Sequence, residues 1–135
     1  MPGSGVLDAG IVMAALNTND SRHADVRALL RRSTDGTLML AMSTVNLAEV
    51  LMLSRSVTRE SGVDVLEVLS AANVQLDAPG TGIARKVAAL HDPGRLSLAD
   101  RFALATAQEL RARLYTTDDA LAKAAGSLKF PATRL

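Results

Sequence analysis

Short apolar runs that alternate with stretches of helical spacing constrain the fold of this chain more than any other sequence feature. The runs that have the character of strands cover residues 5–7, 37–42, 73–77 and 114–117, with a candidate fifth at 128–130. Between them, apolar residues recur at helical spacing, as in Val26, Leu29 and Leu30. Strands that alternate with helices predict an α/β fold, a parallel sheet of four to five strands with helices on both faces in three α/β/α layers.

Polar residues mark the expected starts of several helices. Ser43 or Thr44 can cap one helix, and Ser97 can cap a longer one. Ser61 and Asp64 have the spacing of a capping box that would open a further helix. The turn chemistry of residues 91–94, His-Asp-Pro-Gly, predicts a loop before the Ser97 helix.

Composition limits the kinds of site that the chain can build. There is no cysteine, which removes disulfides, thiolate zinc sites and cysteine nucleophiles. Aromatic residues supply only 2%, too few for a base-stacking surface. No segment resembles a signal peptide or a membrane span, so we expect a cytoplasmic protein with no membrane partner. With 135 residues, 48% of them hydrophobic, and no linker, we predict a single domain over residues 1–135.

Four acidic residues that are far apart in the sequence are expected at one edge of the sheet. Asp8 ends the first predicted strand and Asp118 follows the fourth, where parallel sheets bind ligands. Asp100 follows Ser97 at a helix start that returns to this edge, and Glu49 lies about one and a half turns into its helix. Clustered carboxylates repel one another unless a cation compensates them. Oxygen donors without cysteine select Mg²⁺ or Mn²⁺, and the implied reaction is phosphodiester hydrolysis.

Each of these acids also has an ordinary structural explanation. Asp100 could be half of a capping box, and Asp8 could be a turn aspartate. Asp118 and its neighbour Asp119 could both be helix-opening residues. Glu49 has apolar neighbours, yet it could still be a solvated glutamate.

Basic residues are open to two interpretations as well. Arg101 could contact a phosphate or simply be an exposed helical arginine. His23 and His91 have no partner at ligand spacing, which argues against a metal or catalytic role for either. Six further cations could line an RNA track or form solvated helix faces: Arg22, Arg31, Arg32, Arg85, Lys86 and Arg95.

Taken in order, several segments of the chain resemble a PIN domain and, more narrowly, a VapC-type toxin of a toxin–antitoxin pair. The resemblance extends from about Val6 to Leu121, and its most specific segment runs from Leu96 to Ala107. The matching segments are Val6-Leu7-Asp8-Ala9-Gly10, Asn19-Asp20-Ser21-Arg22-His23, Ser43-Thr44-Val45-Asn46-Leu47-Ala48-Glu49-Val50, Leu96–Ala107 and Tyr115-Thr116-Thr117-Asp118.

The resemblance implies a Mg²⁺- or Mn²⁺-dependent endoribonuclease that acts on RNA. Its metal-binding acidic site would consist of Asp8, Glu49, Asp100 and Asp118, with Asp8 and Asp100 as the most direct ligands. Thr116 would orient Asp118 or a bound water. The resemblance also implies a homodimer, and a cognate antitoxin whose C-terminal segment lies in a groove near the active site.

One residue departs from the family pattern. The position two residues after the first acid usually carries Ser or Asn, and here it is Gly10. Loss of that polar group would weaken metal binding or activity. An alternative function is therefore a PIN fold with weak or no activity that binds RNA or protein. A phosphate-accepting receiver domain, with Asp77 as the acceptor, is a further alternative, although no lysine follows the late strand.

Overall fold

The computed structural model describes residues 2–91 and 96–135. Their single sheet has five strands in the order β3-β2-β1-β4-β5, and all neighbouring strands are parallel. This confirms the predicted parallel sheet. The strands are β1 (Gly3–Leu7), β2 (Leu38–Ser43), β3 (Gln75–Asp77), β4 (Arg113–Thr116) and β5 (Ala132–Arg134).

Helices connect the strands and cover both faces of the sheet. Within the described residues, none of these helices has the length and apolar character needed to cross a membrane. The helices are α1 (Ala9–Leu16), α2 (His23–Thr34), α3 (Thr44–Leu53), α4 (Arg55–Ser61), α5 (Val65–Ala71), α6 (Thr81–Ala89), α7 (Leu98–Leu110) and α8 (Asp119–Ser127).

Alternate residues of the central strands supply two separate cores, because successive strand side chains point to opposite faces. Leu7 and Tyr115 pack with residues of α1, α2, α3 and α5. Val6 and Leu114 pack with residues of α7 and α8 on the other face. α6 contacts α7 through a smaller cluster that includes Ala105. The three-layer α/β/α arrangement is therefore confirmed.

The strand order places a topological switch point between β1 and β4. From β1 the chain continues to β2 and β3 on one side, and it returns to form β4 and β5 on the other. The backbone N–H of Asp8 donates to the Tyr115 carbonyl at 3.2 Å, which joins the carboxyl ends of these two strands. Such switch points carry the ligand sites of open parallel sheets. A receiver domain would pair β1 with β3 instead, so the observed order excludes that alternative.

Two local predictions were wrong. Ser61 and Asp64 do not form a capping box, because Ser61 ends α4 and Gly62 turns the chain at a φ of 71°. Asp64 itself caps α5 by accepting the Leu66 N–H at 2.9 Å. The fifth strand lies at Ala132–Arg134 and not at residues 128–130, since Leu128 and Phe130 pack into the second core from the preceding connection.

Most other boundaries differ from prediction by a few residues. Ser43 and Ser97 are the N-caps of α3 and α7 as expected, each with a side-chain oxygen that accepts a backbone N–H. The first strand begins two residues earlier than predicted, and the third strand is shorter than the predicted 73–77. Of the predicted loop at residues 91–94, all but His91 lies outside the described residues, as does Arg95.

Candidate active site

Asp8 is the most buried of the candidate acids. It caps α1, and its Oδ1 accepts the Ile11 N–H at 3.1 Å. Its Oδ2 accepts the hydroxyl of Thr116. Only 4% of Asp8 is exposed, and this burial raises the pKa of its carboxyl from 3.8 to about 6. The hydrogen bonds from Thr116 and Ile11 oppose the rise, whereas the charges of Asp100 and Asp118 add to it.

Thr116 connects two of the acids. It is fully buried at the end of β4, and its Oγ1 donates to Asp8 while it accepts the Asp118 N–H at 2.9 Å. A threonine hydroxyl has one proton and two lone pairs, so it can serve both contacts at once. The position of Thr116 therefore fixes Asp8 and the backbone of Asp118 together.

Asp118 caps α8 at the same edge. Its Oδ1 accepts the N–H groups of Ala120 and Leu121 at 2.8 and 3.3 Å. The neighbouring Asp119 forms exposed ion pairs with Lys123 and Arg134 at 3.0 and 3.6 Å. A hydrogen bond from Lys123 lowers the pKa of Asp119. Of these two neighbours, Asp118 is the one whose charge raises the pKa of Asp8.

Asp100 and Glu49 come to the site from two helices that pack on each other. Asp100 lies in the first turn of α7, where its N–H donates to the N-cap Ser97 at 3.1 Å. Glu49 lies on α3 and is half-buried. Burial raises the pKa of Glu49, and the charge of Asp100 raises it further. Asp100 thus acts electrostatically on both Glu49 and Asp8.

A buried asparagine ties the two helices together. Asn46 of α3 is fully buried and donates from Nδ2 to the Ala99 carbonyl of α7 at 3.0 Å. Its Oδ1 has no hydrogen-bond partner in the described part of the chain. Asn46 lies in the segment that carries Glu49, but its own role was not predicted. Only the pairing of α3 with α7 reveals it.

Two further residues border Asp8. A Cβ atom on Gly10 would overlap Oγ1 of Thr117. At the position where this chain has glycine and the family usually has a polar residue, the space is therefore filled by the hydroxyl of the residue that follows β4. Arg22 is held by Asp20 at 2.9 Å and donates to the Thr117 carbonyl at 3.4 Å. The hydrogen bond with Asp20 is the main cause that raises the pKa of Arg22, and the charge of Asp8 contributes. The sequence singled out Arg22 only as one of several cations.

The family model of the PIN domain matches residues 5–127. The chain belongs to the PIN-domain family. This confirms the resemblance noted in the sequence. No curated protein sequence matches the chain.

Solved structures with this PIN fold share little sequence with the chain. The VapC20 toxin of Mycobacterium tuberculosis, described as cleaving the sarcin–ricin loop, is 18% identical with a TM-score of 0.67, over 89% of this chain and 94% of the other. VapBC2 of Rickettsia felis, bound to a DNA fragment from its promoter, is 17% identical with a TM-score of 0.70, over 97% and 98%. FitAcB of Neisseria gonorrhoeae is 16% identical with a TM-score of 0.63, over 96% of each chain.

The donor set of this PIN domain fits a hard divalent cation in its chemistry. All four acids offer carboxylate oxygens, the ligands that suit Mg²⁺ and Mn²⁺. Burial is the main cause that raises the pKa of Asp8 and of Glu49, and the charges of neighbouring carboxylates add to it. Within residues 2–91 and 96–135, no three acidic or histidine side chains stand close enough to enclose one ion. Mg²⁺ is commonly bound through one or two carboxylates with water completing its ligands, so Asp8 and Asp100 would suffice as direct ligands.

Other basic residues of the PIN domain have structural roles. Arg101 is half-buried and donates to the carbonyls of Val87 and Leu90 at 3.3 and 3.1 Å, near the end of α6. It is therefore not an exposed helical arginine. His23 Nδ1 pairs with the Ala14 carbonyl at 2.9 Å and joins α2 to α1.

Proposed function

We propose that this protein is a Mg²⁺- or Mn²⁺-dependent endoribonuclease and the toxin of a toxin–antitoxin pair. The observation that carries the proposal is the linkage of Asp8, Thr116 and Asp118 at the switch point of a PIN fold. Asp100 and Glu49 complete the acidic set through their electrostatic coupling. Membership of the PIN family supports the reaction class.

In this proposal each acid has a defined part. Asp8 and Asp100 are the most direct ligands of the cation, with Glu49 and Asp118 in support, and Thr116 holds Asp8 and Asp118 in place. A bound divalent cation would polarise the phosphate and favour attack by water. In the same proposal Arg22 contacts the RNA backbone, and its hydrogen bond to the Thr117 carbonyl holds it beside the acids.

Cleavage of a labelled RNA pool tests the proposal. The purified protein is assayed with Mg²⁺, with Mn²⁺ and with EDTA, alongside Asp8→Asn and Asp100→Asn. Asp64→Asn is the matched control, because Asp64 is an exposed helix cap on α5. We expect cleavage that requires the cation, is lost in both site variants and persists in the control. Cleavage that survives in EDTA or in both site variants would contradict the proposal.

The rival function is a PIN-fold module without nuclease activity that binds RNA or protein. Gly10 and the spread of the carboxylates favour it. Mn²⁺ titration by calorimetry separates the two functions. A nuclease binds Mn²⁺ at the acids and loses that binding in Asp8→Asn, whereas the module has no need of the ion.

A homodimer in the cytoplasm and an antitoxin partner belong to the same proposal. Exposed apolar side chains on α3 and α4 support a dimer surface: Leu51, Met52, Leu53 and Val57. Size-exclusion chromatography with light scattering tests it, and only monomer at micromolar concentration would remove it.

A groove of about 520 Å³ is a candidate surface for the antitoxin. Its lining combines apolar residues with arginines: Leu16, Leu30, Val68, Arg27 and Arg31. It lies toward the C-terminal end of α1, at the opposite end of that helix from Asp8, and not beside the acids, where the resemblance had implied the antitoxin groove. Co-expression with the protein encoded by the neighbouring gene should relieve toxicity and yield a stable complex. Arg27→Glu in the groove should weaken that complex, and an unchanged complex would place the antitoxin elsewhere.

A further inference from the structure

The hydroxyl of Thr117 occupies the space that a side chain at residue 10 would take. An ideal Cβ on Gly10 would overlap Thr117 Oγ1, and it would lie 3.3 Å from Thr117 Cβ and 3.4 Å from Asp8 Oδ1. Real Cβ atoms essentially never come as close to another atom as this one would to Thr117 Oγ1. In the observed rotamer of Thr117, its hydroxyl fills the volume beside Asp8 that a side chain at residue 10 would take.

Two hydrogen bonds hold the backbone around residue 117. Thr116 and Asp118, its neighbours in sequence, are joined to each other through the Thr116 hydroxyl at 2.9 Å. The Thr117 carbonyl accepts Arg22 Nη1 at 3.4 Å. Its own Oγ1 takes part in no hydrogen bond with any described residue. Thr117 Oγ1 and Asp8 Oδ1 thus border the same space, the one that a Cβ at residue 10 would fill.

We infer that Thr117 is a positioning residue of the acidic site, whose hydroxyl replaces the polar group that residue 10 lacks. The inference rests on the proposed function, because it assigns the hydroxyl a part in holding the divalent cation at Asp8. With this role for Thr117, the site keeps a polar group although residue 10 is glycine. Gly10 leaves room for the hydroxyl of Thr117, which follows β4.

Cation binding by Thr117 variants tests the role of the hydroxyl. Thr117→Val keeps the shape of the side chain but removes the hydroxyl, and Thr117→Ser keeps the hydroxyl. We expect Thr117→Val to weaken Mn²⁺ affinity about 10- to 100-fold, as loss of a polar group around metal ligands does. Thr117→Ser should retain the wild-type affinity. A purely structural role would lower thermal stability in Thr117→Val but leave Mn²⁺ affinity unchanged.

An exchange of the two side chains tests the shared space. Gly10→Ser should lower the melting temperature by about 5 °C, because the new side chain meets the Thr117 hydroxyl. Gly10→Ser combined with Thr117→Ala should regain both stability and Mn²⁺ affinity. Gly82→Ser is the control, since Gly82 is also the second residue of its helix but has open space around it.

The outcomes separate the inference from the proposed function. Mn²⁺ binding in the wild type with the same affinity in Thr117→Val would overturn the inference alone. A double variant no better than Gly10→Ser would overturn it too. Wild-type protein that neither binds Mn²⁺ nor cleaves RNA would overturn the proposed function and the inference with it.

Discussion

The hydroxyl of Thr116 donates a hydrogen bond to Oδ2 of Asp8 across 108 positions of sequence. The same oxygen accepts the Asp118 N–H at 2.9 Å, so a single side chain sets the position of two acids. Because Thr116 is fully buried, water cannot take over either contact. The geometry of the site therefore depends on a residue that carries no charge.

Thr116→Val should disturb Asp8 as well as the fold. The variant leaves buried hydrogen-bonding groups unpaired, so we expect a loss of about 1–3 kcal/mol in the free energy of unfolding. The pKa of Asp8 should rise further, because the Thr116 hydrogen bond lowers it. Urea unfolding and carboxyl NMR measure the two effects. Thr116→Ser should preserve both values, and an unchanged Asp8 pKa in Thr116→Val would contradict the assignment.

Asp8 should make the cation-free protein less stable as pH rises. Folding raises its pKa from 3.8 to about 6, so between these values the folded chain binds more protons than the unfolded chain. The contribution of Asp8 to stability is thus present below about pH 4 and falls as pH rises through 6. The loss is about 3 kcal/mol at neutral pH.

Asp8→Asn removes this ionisation and should stabilise the cation-free protein at pH 7. Denaturant unfolding across pH 4–8 in EDTA measures the effect. Asp64→Asn, at an exposed helix cap of α5, is the control for replacing a capping aspartate by asparagine. Equal pH dependence in wild type and Asp8→Asn would exclude Asp8 as its source.

Asp100 should prove to be electrostatically central among the acids. Its charge raises the pKa of both Glu49 and Asp8, whereas Asp118 acts on Asp8 and is not among the causes at Glu49. Asp100→Asn should therefore lower both pKa values in the cation-free protein. Asp118→Asn should lower that of Asp8 alone. Carboxyl NMR titration distinguishes the variants, and a Glu49 that responds only to Asp118→Asn would show that the acids are arranged differently.

Gly5 should be required for packing beneath the site. A Cβ there would lie 2.8 Å from Tyr115 Cδ2 and 3.0 Å from Leu40 Cδ2. Gly5→Ala should therefore cost about 1–3 kcal/mol in unfolding free energy. Gly3→Ala on the same strand is the control, because its nearest neighbour is Leu38 Cδ1 at an ordinary 3.7 Å. Equal effects of the two substitutions would argue against close packing at Gly5.

Local sequence patterns predicted much of the fold and part of the candidate site. Apolar runs, helix caps and turn residues are short-range signals, and they placed Asp8, Asp100 and Asp118 at element ends. Parallel topology then brings strand ends and helix starts to one edge. The same signals misplaced β5, because the apolar Leu128 and Phe130 pack in the second core without forming a strand.

Contacts that depend on the register between distant strands left no local signal. β1 and β4 pair with Leu7 opposite Tyr115, and this register brings Thr117 over Gly10. From the sequence alone, Gly10 therefore indicates a missing side chain but not the residue that fills its space. Likewise, Asn46 contacts Ala99 only because α3 and α7 pack together. Hydrophobic periodicity identifies the faces of these elements but not the neighbour that each residue meets.

The central position of β1 also has a consequence for biosynthesis. β1, which leads into Asp8, is synthesised well before its partner β4, because 108 positions separate Asp8 from Thr116. The nascent polypeptide cannot complete the acidic site until β4 has been synthesised. Under the proposed function, a nuclease directed at cellular RNA stays inactive until β4 has been made, and before then an antitoxin has no assembled active site to inhibit.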